Sequence, residues 1–501
     1  MRLLALVLLA APAGQAQEPS VTSAMPERVA LTVYRAPDRS PDDAVDPQAR
    51  DQQGYALVTE TRTVNIPAGP ATLRFEGVAG NIFAETAILT GLPDGVAERN
   101  LDADLLSPRT LYDRALGRRV MIRRTDPATG TVREEQATIR SGAGGAAVLQ
   151  VAGGIEALRC SGLPETIVQT GLPDGLVARP TLSIRTRSAR ATTATVTLSY
   201  LAGGFDWQAD YVLTMRDDGL ADLFAWVTLA SSDVTPFADA ATSVIAGKPK
   251  REERRATDLG QEDGTLRLRC WPTNVIYGRS PPPPPPPPPA PPAPPRVSAA
   301  TEMDIVVTGM KRVARQEDLG DLKLYRLPEA VTVAARSQKQ VAMLMREGIA
   351  FDPVYVGAVD GDDAGQPRLT LRTRNVAPRG LGLPLPAGRV AVFEEGARRL
   401  LLGESSLEDR AVGEDVEITI GPASAVTTTA ELLTRTKREA RYRLTVTNAL
   451  PRTIVYEARI AVADGARMAT RARLGHHGDV RTWAVTVPAN GRVTLAYAIR
   501  E

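Results

Sequence analysis

Histidine is nearly missing from this chain: His476 and His477 are the only two in 501 residues. A Ser-His-Asp or Cys-His catalytic arrangement, or a zinc site built on several histidines, therefore has almost nothing to draw on. Cysteine is equally scarce, and neither Cys160 nor Cys270 has a histidine near it in sequence to activate a thiolate. A surplus of one charge is missing as well. Sixty basic residues against 58 acidic ones leave a net charge of +2, so no broad basic field exists to hold nucleic acid by counterion release. After Glu18 there is no apolar run of the roughly 18 residues that a membrane-spanning helix needs, so no transmembrane segment is expected in the mature chain. Cofactor motifs are also wanting. Ser141-Gly-Ala-Gly-Gly-Ala-Ala147 has the letters of a dinucleotide-binding turn, but the apolar run after it ends at Gly153-Gly154, too soon for the phosphate-binding helix. Asp360-Gly-Asp-Asp-Ala-Gly365 begins like a calcium loop, yet Leu371 stands where a bidentate Glu is required. No metal and no cofactor is expected.

What the chain does have begins at its first residues. Met1-Arg2, the apolar run Leu3 to Ala11, the break at Pro12 and the small residues Gly14-Gln15-Ala16 follow the plan of a signal peptide. The reading is export to the periplasm or cell surface, with 1–16 removed. In that compartment disulfides persist, and a Cys160–Cys270 bridge would close a loop of about 110 residues, worth roughly 4 to 5 kcal/mol in the chain-entropy treatment. Two separate buried thiols are the alternative.

Apolar residues make up 43% of the chain, and they alternate with polar ones almost everywhere. Val29 to Tyr34, Ala56 to Ile66 and Ala194 to Tyr200 have the period of two that marks half-buried strands. Leu92-Pro-Asp-Gly95, Leu172-Pro-Asp-Gly175 and Leu385-Pro-Ala-Gly388 carry turn chemistry, with Pro setting the first corner and Gly accepting positive φ at the exit. Helix signals are few, the best running from Ser107 to Leu116, with Ser107 as N-cap, Pro108 at the first position and Gly117 beyond the end. Pro281 to Pro289 is an unbroken run of nine prolines; with its continuation to Pro295 it predicts a stiff polyproline rod of about 45 Å. The fold expected is mainly β: several antiparallel β-sandwich domains, a C-terminal immunoglobulin-like sandwich, and a disordered Pro-rich insertion. The boundaries read as an N-terminal β region at 17–105, a small β subdomain with a short helix at 106–155 and a central sandwich at 156–249. The exposed insertion follows at 250–318, the central domain resumes at 319–425, and the last sandwich occupies 426–501.

Two segments carry candidate function. Gly203-Gly-Phe-Asp-Trp-Gln-Ala-Asp-Tyr211, followed by Asp222-Leu-Phe-Ala-Trp-Val-Thr-Leu229, is the densest group of aromatics and acids. On a strand, Asp206, Gln208 and Asp210 share one face and Phe205, Trp207, Ala209 and Tyr211 the other. The expected arrangement is an aromatic face in the core and a solvated polar face. The alternative is a carbohydrate-active hydrolase using Asp206, Asp210 or Asp222, since glycoside hydrolysis uses paired acids. The second segment, Asp304-Ile305-Val306-Val307-Thr308-Gly309, resembles the short box that TonB-dependent outer-membrane receptors present for strand addition to TonB; an outer-membrane partner reached through it is a further alternative.

Gly204 to Tyr211 taken with Trp226-Val-Thr-Leu229, Val244-Ile-Ala-Gly247, Tyr325-Arg-Leu-Pro328 and Leu383-Pro-Leu-Pro-Ala-Gly388 resembles a bacterial envelope family, the domain of unknown function numbered 4139, related to mucoidy inhibitor A proteins. Trp207, Tyr211, Trp226, Pro384, Pro386 and Gly388 form its signature here. The resemblance spans most of 29–499, although the extra N-terminal domain and coiled coil of mucoidy-inhibitor members have no counterpart. It implies a β-rich exported protein and brings no established reaction. The function expected is non-catalytic binding of a cell-envelope partner, protein or polysaccharide.

Overall fold

The computed structural model describes residues 18–48, 53–102, 108–125, 129–141, 148–157, 166–169, 171, 176–247, 314–319, 322–396, 398–463 and 465–500. Among them the chain is almost entirely β, with one α-helix, Pro108–Arg114. That helix begins on Pro108, whose fixed φ suits a first helical position, and Gly117 leaves it at φ +75°.

Among the described residues, six sheets gather around three cores. The first core joins an N-terminal four-stranded sheet, an eight-stranded sheet and a central five-stranded sheet through residues such as Leu31, Phe75, Leu182, Tyr200, Trp207 and Leu229. The alternation in the sequence is real here: Arg28–Tyr34 buries Val29, Leu31 and Val33 and leaves the residues between them partly in water. A small peripheral sheet with the helix forms its own core from Tyr112, Ala115, Val120, Ile122, Ala137, Ile139 and Leu149. This sheet takes in Thr166–Val168, so the subdomain expected to end at 155 extends past it. The third core lies between a seven-stranded and a four-stranded sheet, with Tyr355, Tyr442, Tyr456, Trp483 and Tyr497 inside.

That last sandwich corrects the expected boundary at 425/426. Ile454–Ile460 pairs in parallel with Asp352–Asp360, which pairs in turn with Arg368–Arg374. The strands of 426–501 therefore supply one sheet and only part of the other. Tyr355 and Val359 enter from the earlier segment to complete the core. Most pairings are antiparallel, but three more are parallel: Ser20–Ser23 on Gly69–Glu76, Phe237–Ala246 on Arg28–Tyr34, and Phe205–Met215 on Gly388–Glu394. Parallel neighbours need long crossovers, and a long crossover leaves no turn signal between the two partners.

Candidate functional site

The central sheet runs, edge to edge, Ser337–Ala350, Leu220–Ser231, Phe205–Met215, Gly388–Glu394 and Leu400–Leu407. Phe205, Trp207, Ala209, Tyr211 and Leu213 point into the first core, as their alternation implied. Buried aromatics with a polar handle need a partner for it. Trp207 Nε1 donates to the carbonyl of Ile245 at 3.0 Å and the Tyr211 hydroxyl to that of Pro386 at 2.6 Å. Tyr325 reaches the neighbouring carbonyl of Pro384 at 2.9 Å. Gly388 sits opposite Ala209 so closely that a Cβ would lie 1.9 Å from the Ala209 oxygen, which leaves glycine as the one residue that fits. Tyr211, Tyr325 and Gly388 thus hold the 384–388 turn against the central strand, while Trp207 ties that strand to Ile245 of the eight-stranded sheet.

The opposite face departs from expectation. Asp206 is 4% exposed rather than solvated, because residues 36–45 lie over it. It accepts from Ala36 N at 3.0 Å, Trp207 N at 2.7 Å and Arg39 Nε at 2.8 Å. Gln208 accepts from Val45 N at 2.9 Å and donates to Asp210 at 2.6 Å. Asp210 also accepts from Thr228 and from Arg389, at 3.1 Å to Nη2. Asp222 accepts from Gly348 N at 2.9 Å and lies 3.4 Å from Arg216. No two of these three acids share a partner. Asp206 and Asp210 are spaced by about 13 Å along the strand, and Asp222, opposite Thr214, lies a further four residues on, beyond the roughly 5 to 9.5 Å of paired hydrolytic acids.

Trp226 stands apart from the rest of the signature. It is partly exposed on this outer face, edge-on to Phe224 with ring centroids 4.7 Å apart and planes at 75°. The register sets Asp210 opposite Trp226 on one side and Arg389 beyond it, while Val212 and Met345 flank Phe224. The result is an apolar strip bordered by a neutral Asp210–Arg389 ion pair. Phe224, Met345 and Arg389 were not singled out from sequence. The signal for Phe224 was its place two residues before Trp226, on the face opposite the buried Leu223 and Ala225.

No known family profile matches the chain, and no curated protein matches it. The envelope-family resemblance therefore rests on the residues that carry it.

A second polar cluster lies on the seven-stranded sheet. Arg372 contacts Glu417 at 2.6 Å and Glu457 at 2.8 Å, and Arg459 contacts the same two carboxylates at 2.6 and 3.2 Å. His477 Nε2 is 3.7 Å from Glu417, and its neighbour His476 points away to Arg481. Glu417, Glu457 and His477 are close enough together to suggest a cation site. Two guanidinium groups already neutralise both carboxylates, so the donor set does not fit a divalent ion. Burial pushes the carboxyls of Glu417 and Glu457 up, but the arginines outweigh it and hold both below the ordinary range. A depressed folded pKa gives stability that is present above the unfolded value of about 4.3 and lost as pH falls through the folded one. Thermal melts between pH 7 and 3 should show an acid-side loss of about 1–3 kcal/mol that shrinks in Glu457→Gln. An unchanged acid limb in that variant would refute the assignment.

Cys160, Cys270 and Asp304 to Gly309 lie outside the described residues.

Proposed function

We propose that this is an exported, non-catalytic β-sandwich protein that binds a cell-envelope partner, protein or polysaccharide, on the outer face of its central sheet. Export rests on the signal-like 1–16 segment. The absence of catalysis is supported by the separation of Asp206, Asp210 and Asp222, each held by partners of its own. The observation that carries the binding reading is the partly exposed Trp226–Phe224 pair beside a neutral ion pair. Of the two partner classes, a polysaccharide fits better. A sugar ring packs its C–H face on an aromatic and offers hydroxyls to planar charged groups, and a neutral face gives a polyanion no advantage.

Affinity electrophoresis through gels carrying neutral or acidic polysaccharides tests this. Retardation by a neutral polymer is expected, and Trp226→Ala should weaken it about 30-fold, the roughly 2 kcal/mol of an aromatic hot spot. Equal retardation of a variant with an unchanged melting curve would overturn the assignment of this face.

A further inference from the structure

A cleft of about 260 Å³ opens beside the 384–388 turn, with Arg35 and Arg39 among its lining residues and the carboxylates of Asp38, Glu408 and Asp409 around them. We propose that it binds a small zwitterion carrying both a carboxylate and an ammonium group, as a basic amino acid does, free or as the C-terminal residue of a peptide. This site is separate from the outer face of the central sheet and goes beyond the function proposed for it.

The two arginines differ. Arg39 has its counterion, Asp206, at 2.8 Å. Arg35 is only 9% exposed, and its guanidinium donates to two carbonyls, Ala387 at 3.0 Å and Arg39 at 3.4 Å. Among the described residues it has no ion pair within 4.0 Å. A guanidinium has five N–H donors, so a planar acceptor entering the cleft still finds some to meet. Asp409, Asp206 and Glu408 meet its charge only at longer range, so a carboxylate placed directly on the buried Arg35 adds the close ion pair that its burial calls for. Burial first, and then the neighbouring charge of Arg39, lower the Arg35 pKa, while Asp409, Asp206 and Glu408 pull it back up; the guanidinium stays charged.

The remaining lining sets the rest of the ligand. Asp38, Glu408 and Asp409 are exposed. Asp409 gives one oxygen to Ala387 N at 2.7 Å, and its second oxygen remains for a ligand. With Arg39 paired to Asp206, one guanidinium among three carboxylates leaves the cleft net negative, which repels a bare anion, and a phosphate dianion most of all. An ammonium on the same molecule turns that repulsion into attraction, with the carboxylate seated on Arg35. The volume lies just below the roughly 300 Å³ at which pockets for drug-sized molecules begin, which suits a single amino acid. The wall is also preformed. Ala387 sits inside the turn that Tyr211, Tyr325 and Gly388 lock in place, so little ordering is left for binding to oppose.

Titration calorimetry on the full chain tests the idea with four probes: free lysine, Nα-acetyl-lysine, lysine amide and acetate. Lysine is expected to bind at least 10-fold more tightly than the amide, which lacks the carboxylate, and than acetate, which lacks the ammonium. Nα-acetyl-lysine binding as well as lysine identifies a peptide end as the source; binding of lysine alone identifies the free amino acid. Arg35→Lys should weaken lysine at least 10-fold, because a point charge replaces the planar fork. Glu408→Gln alters an exposed side chain, so it keeps the test valid if the Arg35 variant misfolds; it should weaken lysine several-fold at an unchanged melting midpoint. No heat with lysine, acetate binding as tightly as lysine, or Glu408→Gln without effect would overturn the proposal. Trp226→Ala should leave lysine binding intact, so failure here and failure of the polysaccharide face are separate results.

Discussion

Glu60→Ala is expected to destabilise the first core by about 3–5 kcal/mol, the range for breaking a buried ion pair by removing one partner. Glu60 and Arg62 are both 0% exposed, with Arg62 Nη2 at 2.7 Å from the Glu60 carboxylate. They share a strand face with Val58 and Val64, where a hydrophobic residue would be the ordinary occupant. Tyr200 donates to Glu60 at 2.7 Å and in turn accepts from Ala79 N at 3.0 Å. Arg62 spans to the N-terminal four-stranded sheet, donating to the carbonyls of Ser23 and Glu76 at 2.8 Å each, and lies 5.7 Å from the Phe75 ring centroid. The alanine variant keeps the guanidinium and removes its counterion in a site without water to take over. Urea denaturation should show the first transition moved to lower denaturant. The double variant Glu60→Leu/Arg62→Met removes both charges and should be less destabilised than Glu60→Ala, although it still strands two carbonyls. A single variant within 1 kcal/mol of wild type, or a double variant worse than the single, would show that the pair does not hold the two sheets together.

Asp233→Ala should cost a similar amount, about 3–5 kcal/mol, for a different reason. Asp233 is 0% exposed and accepts from Gly80 N and Asn81 N at 3.0 Å each and from Thr235 N at 2.7 Å. Alanine orphans all three backbone donors, each at roughly 1–3 kcal/mol. Asparagine keeps one acceptor oxygen and should lose about half as much. Burial raises the Asp233 carboxyl above its ordinary value, against the pull of the three N–H groups. A raised folded pKa means that its contribution is full below the unfolded value of about 3.9 and declines as pH rises through the folded one, opposite in sign to the Glu417–Glu457 cluster. The difference in stability between wild type and Asp233→Asn, followed from pH 3 to 7, reads this slope directly. A difference independent of pH would refute it.

The two ion networks also show how far the sequence could be followed. Alternation marked Ala56 to Ile66 as a strand, and the same period over Phe205 to Tyr211 correctly sent Trp207 and Tyr211 inward. It placed Glu60 and Arg62 on the apolar face of their strand without showing what would meet their charges, and it could not say that Asp206 is interior too. An alternating strand with one buried face looks the same as one buried on both, and which obtains depends on what another segment lays over it. For Asp206 that cover is 36–45, whose Arg39 and Ala36 come from more than 160 residues away. The expectation that the acids face water failed at Asp206 for this reason, since a carboxylate tolerates burial once remote donors meet it, whereas Asp210 and Asp222 stay partly exposed.

The amino-acid sequence by itself determined that this protein is built of sheets, that its helix starts at Pro108, and which side of each strand is greasy. These follow from local periodicity and backbone preference, which act over a few residues. Only the tertiary structure decided that Asp352–Asp360 joins Ile454–Ile460, that Tyr211 and Gly388 lock the 384–388 turn, that Trp226 faces out, and that Arg35 lines a cleft with no ion pair within 4.0 Å among the described residues. Those outcomes depend on contacts between strands far apart in the chain, where complementary shape and charge select the partner and nothing local records the choice.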